Sequence, residues 1–94
     1  MMAKYLHIGL NFEGRPPKEE ELEAIFNKAL DWVRYAPNCW IVYTSSLPQK
    51  WYERIKPKLH PDDGILIFEI NKDSRTGFEQ QFVWDWLDKD RSKK

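Results

Sequence analysis

The side chains best suited to chemistry are few and scattered along the chain. Asp62 and Asp63 are adjacent carboxylates ahead of Gly64. Hard divalent cations take oxygen ligands, so such a pair can hold Mg²⁺; two acids before a glycine also form a turn closed by an Asx hydrogen bond, the simpler reading here. His7 is placed to act as acid, base or ligand, but no Cys, His or acid pair stands at ligand spacing around it, which favours packing. Cys39 is the only cysteine. No basic neighbour marks it as an activated thiolate, and it reads as a small buried hydrophobe. His60 precedes Pro61 in a turn and reads as a surface residue. The chain carries no glycine-rich phosphate loop and no nucleophile elbow.

Lys50, Arg54, Lys56 and Lys58 form the one basic cluster. On a helix, Lys50 and Arg54 share a side away from Trp51 and Ile55. That side can meet phosphates, with Trp51 or Tyr52 beside it to stack on bases. A solvated helix face is the plainer reading of the same residues, as it is for the acidic run from Glu19 to Glu23.

These residues need elements to position them. Cys39-Trp40-Ile41-Val42-Tyr43-Thr44 is a run of β-formers bounded by Pro37-Asn38 and Ser45-Ser46-Leu47-Pro48. Both of its alternating sets are apolar, which predicts a central strand packed on two faces. Lys4 to Leu10 alternates, with Leu6, Ile8 and Leu10 on the core side. From about Lys18 to Val33 the period lengthens: Leu22, Ile25, Phe26, Ala29, Leu30 and Val33 predict one amphipathic helix, with Pro17 in its first turn and Glu19–Glu21 at its positive end. Trp32 to Pro37 adds a short strand or turn. Ser46 is the expected N-cap of a second helix, in which Trp51, Ile55 and Leu59 repeat at i+4 until Pro57 distorts it. Ile65 to Ile70 is a second strongly apolar strand. Phe78 to Leu87 predicts a closing helix with Phe78, Phe82 and Trp86 along one side, joined by Val83 and Leu87. Asp88 to Lys94 predicts a charged, frayed tail.

Fifteen basic and fifteen acidic residues cancel, so no global field draws the chain to nucleic acid or membrane. Ninety-four residues predict one domain, which buries roughly 60–65% of its unfolded surface. A lone cysteine fits a reducing, cytoplasmic setting. No apolar run approaches the ~18–20 residues of a membrane span, and the N-terminus lacks the apolar core of a signal peptide. Five tryptophans are many for a core this small.

The order β-α-(β)β-α-β predicts an α+β, ferredoxin-like fold: two helices on one face of a four-stranded antiparallel sheet, plus a C-terminal helix. The other face is expected to carry Tyr5, His7, Ile41 and Tyr43, with Cys39, Ile65 and Ile67. That is too apolar for water, so the C-terminal segment and a second copy are both expected to cover it, making a homodimer.

Several short pieces carry a family resemblance. They are the opening strand running into Leu10-Asn11, Trp40-Ile41-Val42, Lys56-Pro57-Lys58-Leu59, Asp62-Asp63-Gly64-Ile65-Leu66-Ile67, and Gly77-Phe78 leading to Trp86-Leu87. In this order they resemble the CRISPR-associated Cas-two superfamily of small ferredoxin-like dimers, which includes VapD-type toxins, and most closely its SinR-like branch. The resemblance implies that catalytic members end their first strand in an aspartate, paired across the dimer to hold a divalent metal for phosphodiester cleavage. The matching position here is Gly9, which offers no ligand. The expectation is therefore a non-catalytic module without a cofactor, binding nucleic acid or protein in a prokaryotic or phage setting. The alternatives are a divergent Mg²⁺-dependent nuclease using Asn11, Glu13 or Asp62, and a purely structural subunit.

Overall fold

The β-formers pair into one antiparallel sheet in a computed structural model that describes residues 2–91. In chain order the elements are β1 (Lys4–Asn11), α1 (Glu19–Phe26), β2 (Asp31–Ala36), β3 (Cys39–Thr44), α2 (Pro48–Ile55), a 3-10 turn (Lys56–Lys58), β4 (Gly64–Ile70) and α3 (Gln81–Asp88). The strands lie in the order β2-β3-β1-β4, so β1 and β3 are internal and β2 and β4 are the edges. No helix among the described residues is long and apolar enough to cross a membrane.

One face of the sheet holds the larger core. Leu6, Ile8 and Leu10 of β1 and Trp40 and Val42 of β3 meet Leu22, Ile25 and Phe26 of α1 and Trp51 and Ile55 of α2, all buried. The Phe26 ring stacks on Trp40 with centroids 4.4 Å apart. Each such apolar side chain contributes about 1.5–3 kcal/mol on burial, so this layer dominates stability. The Trp51 indole N–H donates to the buried Thr44 Oγ1 at 3.1 Å, so the ring is buried with its polar atom satisfied.

α1 is shorter than the periodicity predicts. It stops at Phe26, with Asn27 as C-cap, and Val33 belongs to β2. Asn27 Oδ1 accepts from the Trp32 indole N–H at 2.9 Å, and the Leu30 backbone N–H already donates to Tyr43 O on β3. Strand pairing of Asp31-Trp32-Val33-Arg34-Tyr35-Ala36 against β3 outcompetes two more helical turns; Leu30, placed in the apolar stripe by its spacing, is 66% exposed. α2 also starts differently. Its N-cap is Leu47 with Pro48 at N1, and Ser46 instead donates its backbone N–H to Thr44 Oγ1. Pro57 does end the α-helix, converting it to the 3-10 turn.

β4 lies in the opposite phase to that expected. Its register pairs Ile67 with Ile8 and Ile65 with Leu10, and residues directly opposite share a face. Ile65 and Ile67 therefore pack against the helical core, while Leu66, Phe68 and Ile70 occupy the second face. Ile67 is not a second-face residue. A strand apolar at nearly every position carries no period to set its phase, and a one-residue shift exchanges its faces.

α3 covers part of that second face. Val83 and Leu87 are buried against Val33 and Ile41, with Tyr5, Tyr35, Ile70, Trp84 and Trp86 packed around them. The expected stripe through Phe78 and Phe82 is not the buried one: Phe78 lies before the helix, fully exposed, and Phe82 is half exposed. The segment after Asp88 is anchored rather than frayed as far as Arg91. Lys89 and Arg91 both bind Asp31, and the Arg91 guanidinium donates to Tyr5 Oη at 3.1 Å. The rest of the expected frayed tail, residues 92–94, lies outside the described residues.

Candidate functional site

The second face brings three polar side chains together. His7 on β1 and Tyr35 on β2 meet across β3, with His7 Nε2 2.5 Å from Tyr35 Oη. Cys39, at the start of β3, lies on the same face opposite Gly9. Burial lowers the His7 pKa below its ordinary value, favouring the neutral ring. Burial first, then the hydrogen bond and charge of Cys39 and the charge of Glu79, push Tyr35 up to about 12. A neutral imidazole and a protonated phenol each carry a donor and an acceptor, so the tautomer of His7 sets which of the two donates in this contact. The pair is a satisfied hydrogen bond that spans the sheet.

Gly9 lies two residues along β1 on the same face, paired with Cys39 on one side and Leu66 on the other. A Cβ added at Gly9 would meet only His7 Cε1, at 3.7 Å, so a Cβ fits there in ordinary van der Waals contact. Glycine at this position is not imposed by crowding.

A second cluster forms where the loop after β1 meets the turn before β4. Asn11 Nδ2 donates to Glu13 Oε2 at 3.3 Å, and the Glu13 backbone N–H donates to Asp63 Oδ1 at 2.9 Å. The other oxygen of Asp63 accepts from the His60 backbone N–H at 2.9 Å. These two backbone hydrogen bonds hold the Asp63 carboxyl below its usual range. Its side chain is 1% exposed and both oxygens are engaged, so Asp63 acts as a strut between two loops. Asp62 is exposed beside it. No group of three or more His, Cys, Asp or Glu among the described residues is arranged to hold a metal ion.

The basic residues do not form one patch. Arg54 lies 4.8 Å over the Trp51 ring, and its Nη1 is buried without a hydrogen-bond partner. Lys58 pairs with Glu21 at 3.8 Å. Lys56 sits 5.7 Å over the Tyr52 ring, and Lys50 is exposed. Lys50, Lys56 and Lys58 are exposed; Lys58 is held by Glu21, which leaves Lys50 and Lys56 outside any ion pair among the described residues, with Tyr52 beside Lys56.

Of the residues expected on the second face, Tyr5, His7, Ile41 and Tyr43 lie there, with Tyr5 and Tyr43 rings 4.9 Å apart. α3 and Arg91 cover most of this set. The uncovered part is over β1 and β4, where Leu66 is 60% and Phe68 53% exposed. Tyr35 escaped sequence reasoning because its contact with His7 depends on strand order. Arg91 escaped it because a charged terminal residue looks solvated; the aromatic density of Trp84-Asp85-Trp86 just upstream was the available signal. No protein-family model, no curated protein and no solved structure matches the chain.

Proposed function

We propose that this chain is a non-catalytic interaction module that works as a homodimer, built on a ferredoxin-like arrangement of the Cas-two type with Gly9 in place of the metal-binding aspartate. The observation that carries the reading is the uncovered half of the second face. Leu66 and Phe68 stand two residues apart on β4, more than half exposed, beyond the part of the sheet that α3 covers. Apolar side chains held in this way on a rigid strand mark a protein contact surface. The reading is also supported by Gly9, which offers no ligand where the resemblance puts an aspartate, and by Asp63, both of whose oxygens accept backbone N–H groups.

A second reading has its own observation. Lys50 and Lys56 face outward with Tyr52 beside Lys56, a small cationic and aromatic surface able to take a single-stranded nucleic acid. One experiment separates the two. The mass in solution is measured by light scattering across micromolar concentrations. Labelled single- and double-stranded RNA and DNA are then titrated with and without Mg²⁺ at several salt concentrations. A dimer without salt-sensitive binding or cleavage supports the first reading. Salt-sensitive binding lost in Lys50→Glu/Lys56→Glu selects the second. Mg²⁺-dependent cleavage by clean protein overturns both, and a monomer at every concentration overturns the homodimer.

A further inference from the structure

The two edges of the sheet are not alike. β2 carries Asp31 and Arg34, a register irregularity between Arg34 and Ala36, and Pro37 directly after it. Charges, bulges and prolines are the devices by which edge strands avoid pairing with other chains. β4 carries none of these beyond one charge. Its sequence Gly-Ile-Leu-Ile-Phe-Glu-Ile has no proline or lysine, and its register against β1 runs without interruption from Gly64 to Ile70.

The hydrogen-bond directions on β4 follow from its neighbours. The Leu10 backbone N–H donates to Asn38 O, on the β3 side of β1, so the even residues of β1 point their polar groups toward β3. The odd residues Tyr5, His7, Gly9 and Asn11 then serve β4, bonding to its even residues Ile70, Phe68, Leu66 and Gly64. That leaves the backbone N–H and C=O of Ile65, Ile67 and Glu69 directed at the free edge.

We propose that β4 pairs antiparallel with β4 of a second copy of this chain, about a twofold axis at Ile67, joining the two sheets into one of eight strands. This rests on the homodimer reading above and specifies its interface. In this register Ile67 faces Ile67 of the copy and Ile65 faces Glu69, so all three outward-directed residues meet outward-directed partners. Leu66 lies opposite Phe68 of the copy and Phe68 opposite Leu66, which merges the exposed apolar side chains of both chains into one strip on the second face. On the helical face, charge decides between a copy and an arbitrary peptide. Glu69 is exposed and makes no side-chain hydrogen bond or ion pair among the described residues. The pairing sets it opposite Ile65, which lines a groove with Tyr52 and Lys56, and Lys56 makes no ion pair among the described residues. The twofold provides this Glu69–Lys56 approach twice, and Glu69 never faces Glu69.

The test is amide hydrogen exchange of the full chain, read residue by residue by NMR, with the mass in solution measured on the same sample. The expected result is a dimer in which the Ile65, Ile67 and Glu69 amides are protected and a Leu66 Hα–Phe68 Hα contact appears between differently labelled copies. Glu69→Pro removes one outward donor and leaves the bonds to β1 in place. It is expected to weaken dimerisation about tenfold or more with unchanged monomer core signals. If Glu69→Pro fails to fold, Glu69→Lys carries the same test, since it turns an ammonium toward that of Lys56 and must weaken the dimer. A dimer whose three amides exchange freely overturns the edge pairing and leaves the homodimer reading standing. A monomer overturns both.

Discussion

The Arg91 guanidinium lies 4.2 Å from the centroid of the Trp86 ring, five residues before it, closing the end of α3 back onto the sheet. The same group sits 5.3 Å over Tyr43 and 5.6 Å over Tyr5, and pairs with Asp31 at 2.9 Å. Three aromatic rings and one carboxylate from α3, β1, β2 and β3 therefore converge on one side chain that is 8% exposed. Cations over desolvated aromatic faces are stabilising, and here the contact fastens α3 over Val33 and Ile41.

Arg91→Ala should cost about 1–3 kcal/mol of stability, from the lost cation–π and charge-assisted contacts together with the packing of the arginine stem. Arg91→Lys should recover only part of it, because an ammonium cannot stack and bridge at once. Urea denaturation of the three proteins checks this. Equal midpoints for Arg91→Ala and wild type would mean that the tail does not hold α3.

His7 makes stability depend on pH in a defined direction. Burial depresses its pKa in the folded chain, so between the ordinary value of 6.5 and the lower folded value the unfolded chain binds more protons. Its contribution is thus complete above 6.5 and is lost as pH falls through the folded value. Wild type should unfold more readily at pH 5 than at pH 7.5. In His7→Gln, which keeps an acceptor for Tyr35, this slope should shrink. Asp31 acts in a more acidic window. Burial raises its pKa, but hydrogen bonds led by Arg91 outweigh that and hold it below 3.8, so its contribution is lost only below about pH 4. Parallel pH profiles for wild type and His7→Gln between 5 and 7.5 would exclude the assignment.

Arg54 and its neighbours Lys50 and Lys56 should respond to substitution by different amounts. Arg54→Ala removes a guanidinium stacked on the buried Trp51 and should cost about 1–2 kcal/mol. Lys50→Ala and Lys56→Ala should change stability by no more than about 0.5 kcal/mol, as for surface positions generally. Thermal unfolding of the three variants separates them. A neutral Arg54→Ala would return Arg54 to the outward-facing basic set.

The sequence by itself determined the elements whose patterns are one-sided. Leu6, Ile8 and Leu10 alternate with polar or small residues and face the helices, and Trp51 and Ile55 repeat at i+4 on α2 and are fully buried. Pro57 ends α2 because a proline beyond the first turn lacks the N–H that would continue the hydrogen-bond ladder. Tertiary structure decided the rest where local signals were degenerate. Ala29, Leu30 and Val33 suit a helix by spacing, but Ala29 and Leu30 form the bend before β2 and Val33 pairs with β3. Ile65 and Leu66 are equally apolar, and only the register against β1 sent the first to the core and the second to solvent. Of the expected site residues, Tyr5 and His7 were legible because β1 alternates; Ile41 and Tyr43 share their face through the register of β3 against β1, and Ile67 takes the other face through that of β4. The His7–Tyr35 and Arg91–Trp86 contacts depend on strand order and on how α3 returns over the sheet. Such long-range choices arise from the summed burial of many side chains, which no single stretch of sequence contains.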